Sequence, residues 1–562
     1  MSHRLELRLA PGPDPAPPAG LERIAREAAR QLGVARVALG GVRVERVSFD
    51  ARPRHRVWLV AVEVWRPGES GPTAARTDPP PIEPVRPDAP HVVIVGSGPA
   101  GLFAALDLLA AGVRTTVFER GGDVRQRRRP LALLNRGETE VGESNYCFGE
   151  GGAGTYSDGK LYARSAEKRA KAAVLETLVA HGADPQILSS WRPHVGSNRL
   201  PQVVRGLRES IVRAGGAVRF SSRVEALRVE RDVAGGRRIA GVTWRDLARP
   251  GSALERLDSD AVVLATGHSA RDALEMAHAA GARLDPKGFA LGVRAEHPQA
   301  WLDTHQYGGL RATCDLPAAF YELVEQVDGR GVYSFCMCPG GWIVPATTSG
   351  DRVVVNGMSL SRRDSPFANS GLVVQLEPED WCGAAAADNG IAELMGGAPG
   401  HPADDPLFGV RVQEALERRA ALAGGGRGRA PAQRLDRFLA GDGSAGTLRP
   451  TSYRPGITPV DFWQLLPRGI AQRLAQGIRA FEGRLAGFAG DDAQMLAPES
   501  RTSSPVRLAR DRERLVALAA EGGELEGLYP AGEGAGYAGG IVSAAIDGRR
   551  VAAAIAARLQ TA

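Results

Sequence analysis

The chain has 562 residues, 43% hydrophobic and 24% charged, a balance that fits two or three globular domains and excludes a disordered or fibrous protein. The net charge of +6 comes almost wholly from arginine, since only Lys160, Lys168, Lys171 and Lys287 are lysines. With no basic run longer than "RQRRR" at 125–129, nucleic-acid binding is disfavoured. Five cysteines, at 147, 314, 336, 338 and 382, lack zinc-type CxxC spacing and are too scattered for a disulfide framework, so no metal is expected. The first residues carry no secretion signal, and no run approaches the ~20 apolar residues of a membrane span. These features predict a cytoplasmic protein with no membrane association.

Residues 1–66 read as a small α+β module. "HRLELRL" alternates as a strand, "GLERIAREAARQLG" has helical periodicity, and "VRVERVSFD" with "HRVWLVAVEVW" predicts a hairpin. Packing or dimerisation suits it better than RNA recognition. A proline-rich linker follows at 67–90.

From His91 the pattern becomes β-α-β: "HVVIVG", then "AGLFAALDLLAAG", then "RTTVFER". The predicted fold class is α/β. A discontinuous Rossmann-like nucleotide domain occupies 91–280 and 491–562, with an α+β substrate or cap domain inserted at 281–490. Ala/Gly-rich stretches near 383–400 and 420–430 read as surface loops.

"VIVGSGPAGLFAAL" places Gly96, Gly98 and Gly101 as GxGxxG between strand and helix, with Pro99 and Ala100 opening the helix. Gly96 allows the tight turn, Gly98 lets a pyrophosphate approach, and Gly101 lets helix and strand pack closely. The helix N-terminus favours phosphate charge. Glu119 closes the next strand, placed for a ribose, with Arg120 beside it. Three later segments select FAD over NAD. The loop "GEGGAGTYSDGKL" (149–161) brings Gly152, Thr155, Ser157, Gly159 and Lys160 towards the cofactor. "DAVVLATGHS" ends a strand at Thr266 and Gly267. "YPAGEGAGYAGGIVSAA" returns with Glu533 at a turn and a helix starting near Gly540 and Ile541, aimed at the flavin's pyrimidine side. Val224, in "VEALRVE", is counted with these contacts.

With these motifs the sequence resembles the bacterial family of uncharacterised FAD-dependent dehydrogenases, within the glutathione-reductase-type flavoprotein superfamily. The resemblance also rests on "SFDAR" (48–52), "PHVGSN" (193–198), "ALGVRAEHPQ" (290–299), "FCMCPGG" (335–341), "SYRPGITP" (452–459) and "ESRTSSPVR" (499–507). The family usually reads Thr-Asp where this chain has Ser197-Asn198. What the resemblance implies is the fold and FAD, with no established substrate.

No second strand-GxGxxG-helix unit is visible, so NAD(P)H is expected at most as a transient donor without its own domain. The loop 149–161 also lacks the CxxxxC of disulfide reductases. Electrons then come from a small-molecule substrate, from nicotinamide or from a redox partner protein. Arg294 and His297 are candidates to bind a carboxylate and relay a proton, and a structural pairing is equally open for them. Arg501 and Arg507 frame "TSSP", suiting either an anionic substrate or interdomain salt bridges. His194 leans structural. The expected function is an FAD-dependent oxidoreductase that moves a hydride between flavin N5 and an unidentified small molecule, with an anion among the candidates. The alternatives are a flavoprotein that modifies RNA or a protein, and a non-catalytic flavin scaffold.

Cys336 and Cys338 stand two apart in a strand-like run, so both thiols are expected on one face. Their Cα atoms would then be about 6.5–7 Å apart, at the limit for a disulfide, and a bridge would need the strand to kink. Simple packing is the expectation.

Overall fold

Five parallel strands carry the glycine turn, in the order Leu528–Pro530, Ala261–Leu264, His91–Val95, Arg114–Phe118, Ala217–Arg219. His91–Val95 is buried at every position, as a parallel strand covered on both faces must be. Val92 and Ile94 face a core shared with the helices Pro99–Ala110, Leu200–Arg213 and Ile541–Thr561. Val93 and Val95 face the opposite way, into a core with Trp244 of a three-stranded antiparallel sheet, Ser222–Arg231, Arg237–Asp246 and Leu254–Asp258. The computed structural model describes residues 3–12, 20–52, 56–69, 71, 76–138, 140, 142–162, 167–231, 236–397 and 405–561. The middle of the expected linker (70 and 72–75) and the end of the expected loop at 398–400 lie outside the described residues.

A seven-stranded sheet forms the second body. Its order is Val324–Val327, Arg330–Cys338, Phe367–Leu376, Phe289–Pro298, Gln494–Glu499, Ala430–Arg434, Ile457–Pro459. Gln494–Glu499 pairs antiparallel with Phe289–Pro298, so this sheet extends past residue 490, the boundary expected from the sequence. The chain pairs again near the nucleotide sheet only at Val506–Leu508, which meets Leu284–Pro286. Nothing in the pattern of "QMLAPE" tells which of two sheets it joins; that choice belongs to its long-range partners.

The N-terminal module forms the predicted elements, with sheet order His3–Leu9, Val57–Trp65, Gly41–Asp50 and the helix Leu21–Leu32. Its core is continuous with that of the second body: Leu7, Ile24 and Val62 belong to one cluster with Leu302 and Tyr307. Phe49 meets Tyr307 edge-on at 5.8 Å, and Val47 N donates to Ser189 O at 2.7 Å.

Candidate functional site

The turn after His91–Val95 separates packing glycines from an open one. Gly96 adopts φ +105°, and a Cβ there would lie 2.4 Å from Ala265 O. On Gly101 a Cβ would lie 2.0 Å from Gly96 O. Gly98 differs, because a Cβ there would meet nothing within 4 Å. The same openness holds at Gly267, Gly539 and Gly540, while a Cβ on Gly152 would meet only the Gly98 Cα, at 3.5 Å. Gly98 and Gly152 thus leave open space, a cradle between the turn and the loop 149–161, at a helix N-terminus. The geometry fits a dinucleotide pyrophosphate. The loop 149–161 is pinned to the turn by Gly151 N donating to Ser97 O at 2.9 Å, and its Gly154 lies against Ile541, to whose Cγ1 a Cβ would come within 3.1 Å.

Glu119 follows the strand Arg114–Phe118 and is buried. Its carboxylate accepts from Ser97 N at 3.1 Å, Ser97 Oγ at 2.7 Å, and Gly121 N and Gly149 N at 2.9 Å each. It therefore also ties the glycine turn to the loop. Beside it is a cavity of about 550 Å³ whose lining includes Arg120, Gly121, Gln126, Ser144 and Ser221, large enough for a nucleoside. Arg120 is held there by Glu143 Oε2 at 2.5 Å and Asp272 at 2.9 Å. Val224 lies in the strand Ser222–Arg231 and packs beside the Trp244 core. Thr155 Oγ1 and Ser157 Oγ donate to Glu150 O and Gly154 O, at 3.0 and 2.8 Å, and so shape the loop locally. Glu533 stands 3.4 Å from His268 Nδ1; Thr266 neighbours the Gly96 packing point, where a Cβ would lie 3.1 Å from its Cα.

The loop then runs into a second cluster. Lys160 Nζ stands 3.9 Å from Cys338 Sγ and 3.8 Å from Asp158 Oδ2. Asp158 binds Arg363 Nε at 3.0 Å and also accepts from Ser359 Oγ, joining the loop to the second body. Burial pulls the Lys160 ammonium down, but Cys338 and Asp158 outweigh it and raise its pKa. Asp158, opposed by burial, is held below the usual range by Arg363 and Lys160. His194 Nε2 donates to Ser361 O, 3.1 Å away, and burial with Arg363 lowers its pKa to about 4.

Arg294 reaches the same cluster from Phe289–Pro298. Its Nε and Nη2 donate to the Glu499 carboxylate at 2.7 and 3.0 Å, and its Nη1 to Asn369 Oδ1 at 2.9 Å. Burial works against the guanidinium charge, and Glu499 more than restores it. His297, three residues on, faces the other side of the strand. Its Nε2 lies 2.8 Å from Phe488 O, and the ring stacks on Trp301 at 5.0 Å. A carbonyl only accepts, so Nε2 carries the proton; burial lowers this histidine to about 4. Arg294 and His297 therefore do not meet at one site. Arg501 lies elsewhere: with Arg271 it binds the fully buried Glu417, at 3.0 and 2.9 Å. Glu417, opposed by burial, is lowered by these two arginines to about 2. Arg507 lies over the Tyr537 ring, 5.5 Å from its centroid. Sequence reasoning missed Asp158, Arg363, Asn369 and Glu499. Of these, Asp158 and Glu499 sit inside motifs already singled out, which was the available signal.

The cysteines depart from the expected flat strand. The register of Arg330–Cys338 against Phe367–Leu376 slips between Phe335 and Cys338, and Cys336 adopts φ +42°, the left-handed region few side chains accept. Cys336 is exposed and Cys338 buried. The strand Val355–Ser359 presses close here, and a Cβ on Gly357 would lie 2.4 Å from Arg294 Nη1 and 2.9 Å from Cys338 Sγ.

Fold and cradle define a flavoprotein of the FAD-dependent oxidoreductase class. A family model for pyridine nucleotide-disulphide oxidoreductases matches residues 90–290, and one described as FAD-dependent protein, C-terminal domain-like, matches 288–502. An uncharacterized protein of Clostridium beijerinckii is 39% identical over 469 residues, covering 82% of this chain and 79% of its own. The chain belongs to this bacterial family of FAD-dependent dehydrogenases. Among solved structures, a 3-ketosteroid-Δ4-(5α)-dehydrogenase from Rhodococcus jostii RHA1 is 14% identical, covers 85% of this chain and 99% of its own, and has a TM-score of 0.33. Sdh1 of Mycobacterium smegmatis is 16% identical, with 84% and 69% covered and a TM-score of 0.35. Likenesses this weak transfer neither substrate nor partner. Among the described residues no helix is long and apolar enough to cross a membrane.

Proposed function

We propose that the enzyme exchanges a hydride between its FAD and a small anionic molecule bound beside Lys160. FAD, when bound, supplies the hydride donor or acceptor at N5. The observation that carries this reading is the meeting of Lys160, on a loop anchored to the pyrophosphate turn, with the Cys338 region of the second body at 3.9 Å. Lys160 is the cation of this cluster best suited to a substrate anion, because its pairing with Asp158, at 3.8 Å, is looser than that of Arg294 with Glu499 at 2.7 Å or of Arg363 Nε with Asp158 at 3.0 Å. Arg501, likewise bound to Glu417, supports the fold. We assign Gly98, Gly152, Gly267 and Gly540 to the pyrophosphate cradle and the 550 Å³ cavity to the adenosine, with FAD held non-covalently and NAD(P)H acting only as a transient donor.

The test is anaerobic mixing of holoenzyme with a panel of carboxylate, neutral and cationic reductants, following loss of flavin absorbance. Carboxylates are expected to reduce it saturably, with Lys160→Met raising the half-saturating concentration. Saturable reduction by neutral or cationic compounds alone, or an unaltered Lys160→Met, would overturn the proposal.

A further inference from the structure

We infer that Cys336 and Cys338 form a reversible disulfide that exchanges two electrons with the bound flavin. The inference deepens the proposed reaction site and rests on that reading of it. An extended strand keeps alternate Cα atoms near the upper limit for a disulfide, about 6.5–7 Å apart. The described strand is not extended at this point. Cys336 at φ +42° and the one-residue bulge before Cys338 bend the strand, and Cys338 Sγ lies 3.2 Å from the Cys336 carbonyl oxygen. A left-handed, non-glycine residue inside a strand persists only where its surroundings impose it, and such residues gather at working sites.

The surroundings also suit sulfur chemistry. Lys160 Nζ, 3.9 Å from Cys338 Sγ, can balance a thiolate, and Arg294 Nη1 donates to Cys336 O at 3.4 Å. Lys160 belongs to the loop anchored at the cofactor cradle, so the pair is on the flavin side of the second body. The two thiols are unequal. Cys336 is the more exposed residue and Cys338 is buried beside the cation, and burial raises both thiols, Cys336 to about 11, against the pull of Lys160.

The S–S bond breaks and the pair takes up two electrons and one proton, both from reduced FAD, which ends oxidised. Cys338 is left as a thiolate opposite Lys160 and Cys336 as a thiol. The reverse step closes the bond and returns the electrons and the proton.

The test uses holoenzyme purified without added thiol, then treated with diamide. Denatured samples are alkylated with iodoacetamide before and after dithionite reduction, and the labels are mapped by mass spectrometry. Cys147, Cys314 and Cys382 are expected to label in both samples, and Cys336 and Cys338 only after reduction. Anaerobic dithionite titration should consume about two equivalents per flavin, against about one in Cys336→Ser. Labelling of all five cysteines in the diamide-treated sample would overturn the inference, and so would about one equivalent in the unmutated holoenzyme. Neither result would touch the carboxylate reaction at Lys160. Conversely, a mapped disulfide with no saturable carboxylate would sink that reaction and leave the pair standing. The mapping needs no variant, so a misfolded Cys336→Ser would not blunt it.

Discussion

Lys160 and Cys338 are 178 residues apart in the chain, and the ammonium of one stands 3.9 Å from the sulfur of the other. The contact ties the reactivity of the thiol to the charge of the lysine. Burial raises the Cys338 pKa, and Lys160 is the main force drawing it back down. Lys160→Met should leave burial and Asp158 opposed only by the weaker pull of Arg294 and Arg363. Alkylation of Cys338 in the folded, reduced protein, followed against pH, is expected to show its inflection at higher pH in the variant, with slower reaction at a fixed pH below it. An unchanged profile would mean that the cation does not act on the sulfur.

Gly98 and Gly101 should fail in different ways when substituted. A Cβ at Gly98 meets no protein atom within 4 Å, whereas at Gly101 it meets a backbone carbonyl at 2.0 Å. Gly98→Val is expected to give a folded, colourless protein whose apo melting temperature matches that of unmutated apoprotein. Gly101→Ala should lose about 1–3 kcal/mol of stability in the apo form as well. Flavin content by absorbance and melting by calorimetry separate the two, and full FAD occupancy in Gly98→Val would refute the cradle.

Arg501 should matter to folding far more than to substrate. Glu417 is wholly buried between Arg501 and Arg271, and removing one cation leaves a buried charge underpaired. Arg501→Met is expected to cost about 3–5 kcal/mol, with the flavin absorbance spectrum and half-saturating carboxylate concentration retained in the folded fraction. A selective rise in that concentration at normal stability would return Arg501 to the substrate site.

Acid should weaken the protein through buried neutral histidines. His91 and His297 are both lowered by burial from the ordinary 6.5 to about 4. Between those values the unfolded chain binds protons that the folded chain refuses. Stability is therefore fully present above about pH 6.5 and falls as pH drops towards 4, by at most about 3 kcal/mol for each histidine. Urea midpoints measured across this range should decline steadily, and His297→Gln should flatten the slope. A midpoint independent of pH would show that these rings are not held neutral.

The nucleotide-binding half was legible along the chain because its signals are local. A strand buried on both faces, three glycines at fixed spacing and an acidic residue closing the next strand all lie within one β-α-β unit, where hydrogen bonding and sterics act between near neighbours. The opposite orientations of Arg294 and His297 follow from their odd spacing on a strand, which the expectation of a shared role for the two did not take into account. What the tertiary structure decided are the pairings across long stretches of chain. Glu499 neutralises Arg294 across 205 residues and Arg363 holds Asp158 across another 205; such contacts leave no periodic trace. The kink at Cys336 is of the same kind. The strand register slips where Val355–Ser359 lies close to Arg294 and Cys338 at Gly357, and the alternation of "YSFCMC" could only describe a straight strand.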